Sequence, residues 1–268
     1  MSIFDKLFGR SQEATPARGA AGRPDPIRSP NAVSLQLLFP GPMNLNAASL
    51  QGVLRGYGGA ASTATVAIDP DSIKKGTPFG RAQWGRHVVD IAGFDLPMPS
   101  EVVEKVVAPA HYPQPLKAQA RAHKAHLLLY YAGTEESPLE KFVALAAVAG
   151  TLATAGAVVV ANESAMTSFP AQALDPRQIS GDKFAYLREL PLLFLYMGFV
   201  KYDLQGGPVW MRTYGGPLLG LPDLAKATEG HHVGQKTSEM FDTILGYVMD
   251  SGAKLAPGIR SRFRARIS

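Results

Sequence analysis

The chain has 268 residues, a formal net charge of +5, 46% hydrophobic residues and no cysteine. That is enough apolar material for a substantial core in one large domain or two small ones. A disulfide framework, a thiolate metal site and a cysteine nucleophile are excluded, and the composition fits a reducing compartment. The positive charge is concentrated at the ends: residues 254–268 hold Lys254, Arg260, Arg262, Arg264 and Arg266 with no acid. The body between the ends is close to neutral, which argues against a nucleic-acid-binding body and leaves only the basic C-terminal tail, 259–268, as a phosphate-binding element.

In chain order, the N-terminus carries Asp5 and Lys6 within its apolar stretch and lacks a secretory signal. Ile3, Phe4, Leu7 and Phe8 share a face if residues 2–8 are helical, and a Pro-, Ala-, Gly- and Arg-rich stretch follows. Residues 1–31 therefore read as a flexible tail bearing a short apolar segment, either self-docked or an anchor. Val33–Phe39 is a predicted strand that ends at Pro40-Gly41-Pro42, and Leu45–Tyr57 a helix stopped by Gly58-Gly59. Thr63–Ile68 reads as a β-branched strand closed by a turn at Asp69-Pro70-Asp71, and His87–Phe94 as another strand. Ser100 is expected to cap a helix over Glu101–Ala108.

The second half repeats the order. Ala125–Tyr131 is a strand, and Ser137-Pro138 opens a helix from Leu139 to about Ala155 that ends at Gly156. Ala157–Ala161 is a buried strand. Leu192–Leu204 and Val209–Leu219 read as two strands joined at Gln205-Gly206-Gly207, and Ser238–Met249 as a final helix before Ser251-Gly252. The expected fold is α+β: pseudo-duplicated strand-helix-strand-strand units with a largely antiparallel sheet and packed helices, over residues 32–258. Phe142–Ala161, which runs without a charge, is long enough to span a membrane. Its Ala and Gly content, its interruptions at Gly150, Thr151, Thr154 and Gly156, and its closing valines favour a core helix followed by a core strand, with no transmembrane span.

Four residues stand out as catalytic candidates. His123 and His126, in HKAH, would share a helical face as a metal pair does, or would cap and brace the helix–strand junction. No third ligand is apparent nearby, so no metal or cofactor is assigned. Glu163, beside Ser164, is either an acid/base group or an N-cap preceding a helix. Tyr214 lies in RTYGGPLLGLPDL, where Gly215-Gly216 reads as a turn. His231-His232 reads as a solvated loop. The GxSxG, GxxxxGK[ST] and GxGxxG patterns are absent.

Six segments together resemble the DUF4261 family of bacterial proteins: the strand ending LLFP, FDLPMP (Phe94–Pro99), HKAHLLLYYAG (His123–Gly133), the alanine-rich helix with the strand ending VVVANES, TYGGPLLGLPDL (Thr213–Leu224) and LGYVMDSGAKLAPG. The resemblance covers residues 33–258 and implies an α+β domain of unknown activity, with an immunity or accessory role beside bacterial toxin or secretion systems. The resulting expectation is a non-enzymatic, cytoplasmic protein-binding domain that uses loops around Asp95–Pro99 and Thr213–Asp223, with Asp95, Met98, Tyr214 and Asp223 as contact residues. The alternatives are an enzyme built on His123, His126 and Glu163, and a membrane-associated protein.

Overall fold

The computed structural model describes residues 32–205 and 207–253. The expectations for the N-terminal tail, for the basic tail and for Gly206 lie outside the described residues. The remainder is an α+β fold in which every strand pairing is antiparallel.

The elements are β1 (Ser34–Phe39), α1 (Ala47–Arg55), β2 (Thr65–Ile68), α2 (Pro70–Lys74), β3 (Phe79–Trp84), β4 (His87–Phe94), α3 (Ser100–Val107), α4 (Gln114–Arg121), β5 (Ala125–Tyr131), α5 (Pro138–Ala153), β6 (Val159–Asn162), β7 (Thr167–Pro170), α6 (Lys183–Arg188), α7 (Leu192–Leu195), β8 (Gly198–Asp203), β9 (Val209–Tyr214), β10 (Ala225–Thr228) and α8 (Gly234–Ser251). Seven strands form one sheet in the order β2-β3-β4-β5-β1-β6-β7, and the other three form a second in the order β10-β9-β8.

Strands β1 and β5 lie at the centre because their residues are apolar on both faces. All seven residues of β5 are buried. On β1, Leu35, Leu37 and Phe39 join the main core, while Leu38 points the other way into a second cluster. The chain passes from β1 through α1 to β4 with β5 between them, and from β5 through α5 to β6 with β1 between them. Two split βαβ units thus interlock about the β1–β5 pair, which is the structural form of the order repeated in the sequence. The first unit carries β2, α2 and β3 as extra elements.

Helix α5 fills the main core. Ser137 caps it by accepting a hydrogen bond from the Glu140 amide, and Pro138 occupies its first turn. It is buried from Phe142 to Leu152. Gly156 then turns the chain with φ 103°, a left-handed conformation that favours glycine. The uncharged run is thereby divided between α5 and β6, and no described helix is long and apolar enough to cross a membrane. On the opposite side of the sheet, α3 and α4 cover β6 and β1 through Val102, Val103, Val106 and Ala120.

Several boundaries differ from expectation. Ser100 is the first residue of α3 and not its cap; Pro99 takes the cap position and makes no side-chain bond there. Asp69-Pro70-Asp71 opens the short helix α2, with Asp69 accepting from the Asp71 amide. Leu192–Leu204 is not one strand. Pro191 starts the turn of helix α7, and Asn162 Nδ2 donates to the Leu195 and Tyr196 carbonyls, which holds that segment off the sheet before β8 begins. No helix follows Glu163. Residues 163–166 instead form the tight β6–β7 turn, in which Met166 adopts φ 54° and the Ala165 amide bonds the Asn162 carbonyl.

Candidate functional site

The four residues singled out as catalytic candidates occupy three separate places. His123 and His126 stand at the α4–β5 junction, both almost fully buried. His123 Nε2 accepts the Met98 amide at 2.8 Å, so the ring proton is on Nδ1, which donates to the Ala120 carbonyl at 2.7 Å. His126 Nδ1 donates to the Leu96 carbonyl at 2.7 Å, and its ring stacks on Phe94 at 5.1 Å. Burial lowers the pKa of both imidazoles and keeps them neutral. Both side chains therefore clamp the segment between β4 and α3. Among the described residues, no group of three His, Asp or Glu is placed to hold a metal ion.

Glu163 sits beyond the end of β6, where its amide donates to Gln36 Oε1 at 3.3 Å. Burial raises its carboxyl pKa, and the Lys105 charge opposes that shift. Leu38 pairs with both His126 and Val159, and Gln36 pairs with Ala161, so Glu163 lies near the other end of β1. Four residues of strand separate the two places by about 13 Å.

Tyr214 belongs to the second sheet. Its hydroxyl lies 2.6 Å from that of Tyr202, and the Arg212 guanidinium sits 4.6 Å from its ring centre. Asp223 accepts the Gly216 amide at 3.0 Å and lies 3.8 Å from Arg212. Tyr214 and Asp223, both expected contact residues, thus meet through Arg212. The other two expected contact residues are elsewhere: Met98 is buried in the second cluster, and Asp95 is exposed beside the β3 approach, its amide bonded to the Gly76 carbonyl.

Around Tyr214 the register exposes a surface that the sequence reading did not single out. Phe199, Val209, Met211 and Thr213 face inward, and Phe199 packs edge-on against Phe241 of α8. The alternate residues Val200, Tyr202, Trp210, Arg212 and Tyr214 therefore face outward, with Trp210 38% exposed. Trp210 is paired with Tyr202 on one side and Ala227 on the other. This face combines the residue types that anchor protein interfaces, namely tryptophan, tyrosine and arginine, with small alanines that leave room for a partner.

A concave feature lies apart from all of these residues. A cleft of about 370 Å³ opens between the β3–β4 hairpin and α6, lined by Trp84, His87, Tyr57, Phe184, Glu140 and Arg188 among others. These side chains come from four segments distant in sequence and are converged by the sheet and α5. Comparison of the chain with models of protein families, with curated proteins and with solved structures gives no match.

Proposed function

We propose that the chain is a non-enzymatic binding domain that docks a protein partner on the outer face of its three-stranded sheet. The observation that supports this reading is the cluster of Trp210, Tyr202, Tyr214 and Arg212 on one open strand face. Trp210 and Tyr202 supply apolar contact area at low entropic cost, while Arg212 and the tyrosine hydroxyls offer donors. The complementary partner surface presents an apolar side chain flanked by Asp or Glu. In keeping with the DUF4261 resemblance, that partner is a component of a bacterial toxin or secretion system, met in the cytoplasm, and the domain acts as its immunity or accessory protein.

The test has two steps. Co-purification from the native host under mild conditions should recover a stoichiometric protein, which is then produced separately and titrated calorimetrically. Trp210→Ala is expected to weaken that purified pair by at least about thirtyfold, the effect of losing an interface anchor worth about 2 kcal/mol. Trp210 is on a solvent-facing position, so the fold should be retained. A pair whose affinity is unmoved by Trp210→Ala and by Arg212→Gln docks elsewhere and overturns this reading.

A further inference from the structure

We infer that the cleft between the β3–β4 hairpin and α6 is a binding site for a small planar aromatic anion, separate from the protein-docking face. The walls are rings. Trp84 and His87 form one side, with centroids 5.3 Å apart, and Tyr57 and Phe184 form another, 5.5 Å apart. Val143 and Ala144 of α5 complete an apolar lining. A volume near 370 Å³ falls within the range of small-ligand pockets and holds one or two fused rings.

Hydrogen-bond donors specify the rest of the ligand. Trp84 is only 4% exposed, yet its indole Nε1–H has no hydrogen-bond partner among the described residues. A buried indole ordinarily finds an acceptor, and failing to supply one is costly. Trp84 lines the cleft. Arg188 spends Nε and Nη2 on Glu140, at 2.6 and 3.0 Å, and its Nη1 has no partner among the described residues. The Glu140 pair fixes the guanidinium plane, so the unused edge is pre-oriented. Asp182 is occupied as the cap of α6, accepting from the Phe184 and Ala185 amides. The cleft therefore pairs ring-lined walls with two N–H groups that have no partner among the described residues. A carboxylate carried on an aromatic ring satisfies both kinds of group at once.

The test uses the full chain labelled with ¹⁵N at its two tryptophans, Trp84 and Trp210. Sodium benzoate is titrated while the two indole N–H resonances are followed. The Trp84 signal should shift saturably with a Kd on the order of 1 mM or tighter, as expected for a ligand of this size, while Trp210 stays in place as an internal control. Benzamide and cyclohexanecarboxylate, which lack the charge and the ring respectively, should each bind at least about fivefold more weakly. Arg188→Gln should abolish saturation, whereas Glu140→Gln, whose amide oxygen can still accept from Arg188 while its negative charge is gone, should tighten benzoate about threefold. The opposite signs distinguish a ligand site from a structural ion pair, since loss of structure would weaken binding in both variants. If Arg188→Gln fails to fold, Glu140→Gln and the two analogues still decide. An unmoved Trp84 signal, equal shifts at both tryptophans, or equal affinity for all three probes overturns the assignment.

Discussion

Gly150→Ala is expected to destabilise the protein by about 3 kcal/mol, although it replaces a poor helix former with the best one inside a helix. In an unhindered helix the exchange gains about 1 kcal/mol. Gly150, however, lies where α5 passes the 3-10 turn Ala171–Leu174 and the end of α1. A Cβ there would fall inside contact distance of both the Leu174 carbonyl oxygen and the Tyr57 hydroxyl. Those two atoms are hydrogen-bonded to each other in the core. Making room means separating α5 from both, which costs about 1–3 kcal/mol in strain. It also opens a buried hydrogen bond, at about 1–3 kcal/mol more. Gly246→Ala on α8 is the control, because nothing lies within 4 Å of the added carbon. Urea unfolding should show the two alanines moving stability in opposite directions, and a stabilised Gly150→Ala would refute the close approach of α5.

The same glycine shows where the sequence was readable and where it was not. The run from Phe142 reads as a core helix because it is uncharged, alanine-rich and bracketed by Ser137-Pro138 and Gly156, and α5 lies there. Gly150 itself reads as an interruption, but it is a contact point, which only the tertiary structure reveals. His87–Phe94 and Ala125–Tyr131 coincide with β4 and β5 because long β-branched or aromatic runs leave little choice. The overlooked strands β3, β7 and β10 are short, or half-exposed like Phe79–Trp84 with its Gly, Arg and Gln. They are strands because a neighbour pairs with them and not through their own propensity. Leu192–Leu204 misleads for a related reason: a continuous apolar run has no period that separates a helical turn from a strand.

Functional groups were legible only where chemistry and local turn coincide. Tyr214 and Asp223 belong to one Gly-rich turn, and the structure joins them through Arg212. The cleft draws Tyr57, Trp84, His87, Glu140 and Arg188 from segments with no shared motif, so no spacing could announce it. His123 and His126 were conspicuous by spacing, but that spacing serves to fasten two successive carbonyl and amide groups of the segment before α3.

This fastening makes stability depend on pH. Between pH 7.5 and 5.5 the folded protein should lose stability, by at most about 1.4 kcal/mol from each of His123 and His126. Unfolded, each imidazole takes up a proton near pH 6.5. Folded, burial lowers both pKa values, so the native state resists protonation in that window. The unfolded state then binds more protons, and stability falls as pH falls, by up to about 1.4 kcal/mol per pH unit for each histidine until the folded pKa is reached. For His123 the structural cause is specific. A proton on Nε2 would confront the Met98 N–H that this nitrogen accepts, leaving two donors face to face in the core. His87 shifts in the same direction but is only half-buried, and it adds less. Glu163 and Asp242, whose carboxyl pKa values burial raises, act in the opposite sense nearer the carboxylate range and flatten the curve at its acid end. His123→Gln keeps an acceptor for Met98 but cannot titrate, so it should make the pH slope shallower whatever it does to stability at pH 7.5. Urea unfolding of both proteins at pH 7.5, 6.5 and 5.5 measures this directly. A wild-type stability that stays level across that range would mean that the two imidazoles are not held neutral, and that the clamp on residues 96–98 is looser than its hydrogen bonds indicate.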